Sequence, residues 1–133
     1  MKGSVIFQKR IYRKDLRQNP TRLYVFGDNM KKVGLGGQAG EMRGEPNAVG
    51  VPTKWKPSMD YLSFFSDDDL DLVKPQIDIA FHMMFKHIEK SESVVIPSDG
   101  LGTGLSMLQV HAPQILKYIE SKIEDLVEFS SNE

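Results

Sequence analysis

An α/β fold, with a mixed central sheet flanked by helices, is what this sequence predicts, and three observations predict it. Short apolar runs of strand length recur at Val5 to Phe7, Leu23 to Phe26, Asn47 to Val51 and Val94 to Ile96. Longer stretches carry apolar residues at three- and four-residue spacing, the mark of a helix with one buried face. Glycine and proline punctuate the boundaries. Strands alternating with helices favour a layered α/β architecture over an all-β or bundle fold.

In chain order, Val5 to Phe7 reads as a short strand, and the segment after it holds one helical turn before Asn19-Pro20 breaks it. Leu23 to Phe26 is a more buried strand that ends at Gly27-Asp28. Residues 27–50 concentrate seven of the eleven glycines, with a short helix over Gln38 to Arg43. Asn47 to Val51 is a third strand, stopped by Pro52, and Trp55 to Phe65 reads mostly as loop. Ser66 with Asp67, Asp68 and Asp69 has the form of a helix cap with carboxylates complementing the dipole. Leu70, Val73, Ile77, Ala80, Phe81, Met84 and Ile88 continue as an apolar stripe, with Pro75 placing the regular start near itself. Val94 to Ile96 is the fourth strand. Leu108 to Val127 is a long amphipathic helix that tolerates Pro113 only in its first turn.

The 133 residues fit one domain, residues 1–129, followed by a frayed polar tail, residues 130–133. A chain of this size buries roughly two-thirds of its unfolded surface, enough for a core without staples. Seventeen basic against eighteen acidic residues leave a net charge of −1, which argues against recruitment of nucleic acid by a global field. Absence of cysteine excludes disulfides, a thiolate nucleophile and sulfur-ligated zinc. An apolar run of only three near the start is too short for a signal peptide, and no stretch approaches a spanning helix. A cytoplasmic protein with no membrane partner is expected.

Chemistry concentrates in two glycine-rich segments, GDNMKKVGLGGQAGEMRG and PSDGLGTG, each following an apolar strand. Both emerge on the carboxyl side of a sheet if those strands are parallel, where α/β folds bind their ligands. Amides in tight, side-chain-poor turns form a nest for phosphate oxygens. The candidates are Gly34, Gly36, Gly37 and Gln38 in the first segment and Gly100, Gly102, Thr103 and Gly104 in the second. Neither the Walker A spacing nor the dinucleotide fingerprint is present. Asp28 and Asn29 follow the second strand directly, either as hydrogen-bonding groups for a ribose or as turn residues bonding their own backbone. Asp99 and Ser98 pose the same choice. Arg43 offers a bidentate fork to phosphate or carboxylate and Lys54 a mobile point charge, or each is a solvated surface charge. Trp55 either stacks on a base or fills a core edge.

Other constellations are weaker. His82 and His87 lie five apart, off one helical face, and His111 is distant, which argues against a zinc centre. Ser98, Asp99 and His111 lack a nucleophile elbow. The run Asp67 to Asp71 lacks the glycine and distal glutamate of a calcium loop.

YVFGDN (Tyr24 to Asn29), GLGGQAGEMR (Gly34 to Arg43), NAVGVPTK (Asn47 to Lys54) and VVIPSDGLGTGL (Val94 to Leu105), followed by a final helix, together resemble the macrodomains, ADP-ribose-binding α/β modules. A looser likeness is to compact macro-like proteins of phages and bacteria. The resemblance implies that Asn29 lies near the distal ribose, Gly34 to Gly37 along the diphosphate, and Gly100 to Gly104 over it from the other side, with Thr103 donating. It implies no cofactor and no metal. In the branch of that family that removes ADP-ribose from carboxylates, a strand lysine works with an aspartate after the second glycine loop. Lys54 resembles the former, whereas Ser106 stands where the aspartate is expected, leaving Asp99 as a substitute from the other end of the loop.

Three functions therefore stay open. One is binding of ADP-ribose or a related nucleotide diphosphate-ribose, and another is binding with hydrolysis of an ADP-ribosyl ester, for which Asn29, Lys54 and Asp99 are the catalytic candidates. The third is a structural or host-interaction module whose glycines only build turns and whose contact surface is Trp55 to Phe65.

Overall fold

A computed structural model describes residues 1–132. Strands β1 (Val5–Gln8), β2 (Leu23–Asn29), β3 (Ala48–Lys54) and β4 (Val94–Pro97) alternate with helices α1 (Arg13–Gln18), α2 (Ala39–Met42), α3 (Leu70–Glu89), α4 (Leu108–His111) and α5 (Pro113–Ser131). The α/β class is the observed one. All three strand pairings are parallel in a sheet of order β1-β4-β2-β3, where a mixed sheet was expected. Each of the three connections between strands passes through a helix, α1, α2 or α3, and such crossovers return the chain parallel. The one antiparallel pairing among the described residues is an isolated bridge between Lys54 and Phe64.

Strand residues alternate between two apolar layers, as expected for a parallel sheet covered on both faces. Leu23, Val25, Val49, Val51, Val94 and Ile96 pack beneath α3 and α5 with Val73, Ile77, Phe81, Ile115 and Ile119. Tyr24, Phe26 and Val95 pack on the other face with Ile11, Leu16, Ala39 and Met42 from α1, α2 and the segment before α1. Among the described residues no helix is long and apolar enough to cross a membrane.

Prolines account for the differences in element boundaries. Strand β3 runs through Pro52 to Lys54 because β3 is an edge strand, where a missing donor is tolerated, and the ladder to β2 shifts register beside it. Helix α3 begins at Leu70, ahead of Pro75, which lies on its exposed side. A capping box between Ser66 and Asp69 and a 3-10 turn, Asp67–Asp69, lead into it. The single terminal helix expected from Leu108 is two: Ala112 takes φ −149°, and Pro113 starts α5 at its first turn. Ser130 and Ser131 belong to the tail expected to fray, yet they extend α5, while Glu133 lies outside the described residues.

Candidate functional site

The sheet opens where β2 and β4 part. Their pairing covers only Leu23 with Val94 and Tyr24 with Val95. Beyond these residues β2 follows β3 as far as Asn29, and β4 follows β1 to Pro97. Neighbouring strands that turn toward opposite edges leave a crevice at their carboxyl ends, the usual ligand position in such sheets. Both glycine-rich segments enter it.

At the base of the crevice the two segments nearly touch. A Cβ built on Gly27 would lie at ordinary contact distance, 3.4 Å, from the Gly102 amide nitrogen, so the two backbones run close beside each other. Above this contact, Gly36, Gly37 and Gln38 face Asp99, Gly100, Gly102, Thr103 and Gly104 across a hollow of about 440 Å³. Leu105 reaches over it, its Cδ1 lying 3.1 Å from a Cβ placed on Gly36. Among the described residues, the amides of Gly36, Gly37, Gly102, Thr103 and Gly104 donate to no protein acceptor. Amides without protein acceptors, gathered around one hollow, are the raw material of an anion nest.

Side chains fix the second loop from beneath. Thr53, fully buried at the end of β3, donates its hydroxyl to the Asp28 carbonyl at 3.1 Å. Its single proton is thereby committed, so the 2.7 Å contact with Ser106 has Ser106 as donor. Thr103 donates to the Asp99 carbonyl at 2.9 Å, and Gln109 donates to the Thr103 carbonyl at 3.1 Å. Gln38 donates to the Ile11 carbonyl at 3.2 Å, while its Oε1 is buried without a partner.

A second hollow of about 320 Å³ adjoins the first, sharing Gly27, Gly36, Leu105 and Ser106 with it. Its walls bring together Asp28, Asn29, Gly34, Arg43 and Lys54. Asp28 and Arg43 bind each other bidentately, at 2.6 and 3.1 Å, and Arg43 also donates to the carbonyls of Gly34 and Val33. Asn29 brackets the same loop, donating to the Val33 carbonyl at 2.7 Å and accepting from the Val33 amide. These three side chains thus hold the first glycine loop in shape. Asp99 is exposed and lines the other hollow, so the structure does not bring it together with Lys54.

Lys54 is the unusual group. It is 5 % exposed and forms no ion pair among the described residues; its Nζ lies 3.4 Å from the Met59 sulfur and 4.7 Å from the centre of the Phe64 ring. Burial disfavours the ammonium and lowers its pKa from the usual 10.5. Lys54→Met, similar in volume, is expected to raise stability near neutral pH by about 1 kcal/mol. The unfolded chain holds this proton up to about 10.5 and the folded chain releases it earlier, so wild-type stability rises with pH through that window. The advantage of Lys54→Met in urea unfolding is therefore expected to shrink as pH approaches that value; an advantage independent of pH would contradict the assignment.

Sequence reasoning did not single out Lys9, Thr53 and Leu105. Lys9 lines the larger hollow because β1 ends beside β4, a neighbour relation absent from local sequence. No grouping of three or more histidine, aspartate or glutamate side chains suited to a metal ion occurs among the described residues.

No curated protein and no solved structure matches the chain. A family model described as a family of unknown function, DUF7831, matches residues 6–122 and so spans the whole crevice, both glycine-rich segments and most of α5. The chain belongs to that family.

Proposed function

We propose that the protein binds ADP-ribose or a closely related nucleotide diphosphate-ribose in the crevice between β2 and β4. The observation that carries the reading is the set of free amides on two glycine loops facing one hollow. A diphosphate fits that nest, with Lys9 supplying positive charge at its edge. The adjoining hollow, walled by Val33, Leu35, Pro57, Met59 and Leu105, takes the distal ribose beside Lys54. Two connected hollows suit a ligand with a charged middle and a sugar at one end.

Turnover is a second reading, and Lys54 favours it. An amine whose charged form is disfavoured by burial can attack C1 of the ribose, the new C–N bond replacing the C–O ester bond as the glutamyl carboxylate leaves, and water then releases ADP-ribose and restores the amine. Asp28 and Asn29 have their side chains engaged with the first loop, so activation of water is not assigned to them.

Calorimetric titration with ADP-ribose tests the binding reading. A micromolar dissociation constant is expected, weakened about fivefold or more by Lys9→Ala. No heat and no thermal shift at millimolar ADP-ribose would end it. Release of ADP-ribose from an ADP-ribosylated glutamyl peptide, lost in Lys54→Met, separates turnover from binding alone.

A further inference from the structure

The Phe64 ring that Lys54 approaches also stacks on His111, at 4.1 Å between centroids, and forms part of a third hollow of about 290 Å³. Trp55, Tyr61, Phe64 and His111 supply its aromatic walls, and Asp69 lies at its edge. One oxygen of Asp69 accepts from the Trp55 indole at 3.2 Å and from the Ser66 amide at 2.8 Å, which locks the carboxylate against the rings. Tyr61 and Leu62, on the 3-10 turn Tyr61–Ser63, are 79 % and 80 % exposed. Large apolar groups held out on an ordered turn mark an interaction surface.

Charge identifies the occupant. Asp60, Asp67, Asp68, Asp69 and Asp71 crowd this stretch, and no lysine or arginine lies between Lys56 and Lys74. None of these carboxylates forms an ion pair among the described residues. The chain as a whole carries only −1, so the field is local. Aromatic faces attract cations through their quadrupole, and Asp69 at the edge, with the other carboxylates of this stretch of chain, adds attraction of the same sign while repelling anions. We infer that this aromatic hollow docks a basic segment of a partner protein, an arginine or lysine side chain lying against the rings and an adjacent aliphatic one against Leu62. The inference does not rest on the nucleotide reading, although Phe64 lies between this hollow and Lys54.

Trp55 is the only tryptophan, so its emission reports directly on the hollow. Titration of the full chain with the blocked peptide acetyl-Leu-Arg-Leu-Arg-amide is expected to give a saturable change in that emission. Asp60→Asn, Asp68→Asn and Asp71→Asn combined remove the charge of three carboxylates that accept no hydrogen bond among the described residues, and are expected to weaken binding about tenfold at low salt. Tyr61→Ala, at an exposed ring, is expected to weaken it about threefold and serves should the triple variant fold poorly. No saturable change at millimolar peptide, an equal response to acetyl-Leu-Glu-Leu-Glu-amide, or unaltered affinity in both variants would overturn the inference.

Discussion

Gly102→Ala is expected to destabilise the protein by about 3 kcal/mol or more, summing left-handed backbone strain and overpacking. Gly102 has φ +83°, a conformation in which a side chain crowds its own backbone. Space is missing as well: an added Cβ would lie 2.3 Å from Leu108 Cδ1, 2.8 Å from Leu108 Cγ and 3.0 Å from Thr53 Cγ2. Neither neighbour can give way. Leu108 is fully buried in the layer under α3 and α5, and its amide is bonded to the Gly102 carbonyl at 2.8 Å. Thr53 is pinned between the Asp28 carbonyl and Ser106. Gly104→Ala is the matched control, since nothing lies within 4 Å of its Cβ position and its φ is not positive. That variant is expected to unfold within about 0.5 kcal/mol of wild type. Urea unfolding of the pair separates crowding from loop flexibility; equal midpoints would contradict the packing at the base of the crevice.

Local physics made most of the fold readable. The strands were visible as apolar runs because a parallel sheet covered on both faces needs every residue apolar, and α3 was visible because one face alone is buried. Pro113 marked the start of α5, although the separate turn Leu108–His111 ahead of it depends on the Gly102 carbonyl and was not visible. The two glycine loops could be located from composition. Their meeting could not, because it depends on β2 and β4 being neighbours that separate after two paired residues, a relation between residues some seventy positions apart. Polar partnerships were equally hidden. Asp28 and Arg43 each looked free for a ligand in the sequence, yet fifteen residues of chain bend back to join them. Lys54 looked like an ordinary surface charge until β3 ran past Pro52 and the segment carrying Met59 and Phe64 folded over it.

Arg43→Ala is expected to cost about 1.5–3 kcal/mol, the range for hydrogen bonds to charged groups, because the pair with Asp28 is partly buried. The guanidinium closes four contacts at once: Nη2 to Asp28 Oδ1 at 2.6 Å, Nη1 to Asp28 Oδ2 at 3.1 Å, Nε to the Gly34 carbonyl at 2.8 Å and Nη2 to the Val33 carbonyl at 3.2 Å. Asp28 keeps only 9 % of its side chain exposed and lies over Gly50, whose missing Cβ would fall 2.8 Å from Oδ2. Without Arg43 its charge would therefore be stranded where water has little access. Asp28→Asn in the same chain lifts that penalty, so the double variant is expected to be more stable than Arg43→Ala alone. A double-mutant cycle measured by urea unfolding should give a coupling of about 2 kcal/mol. Arg43→Lys is expected to rescue little, because an ammonium cannot span two carboxylate oxygens and two carbonyls as a planar fork does. The comparison also separates two roles of the arginine in ligand binding. If it acts by holding the first glycine loop, ADP-ribose affinity falls in step with stability across Arg43→Ala, Arg43→Lys and the double variant. Should Arg43 instead touch the diphosphate, the double variant would recover stability while affinity stayed low.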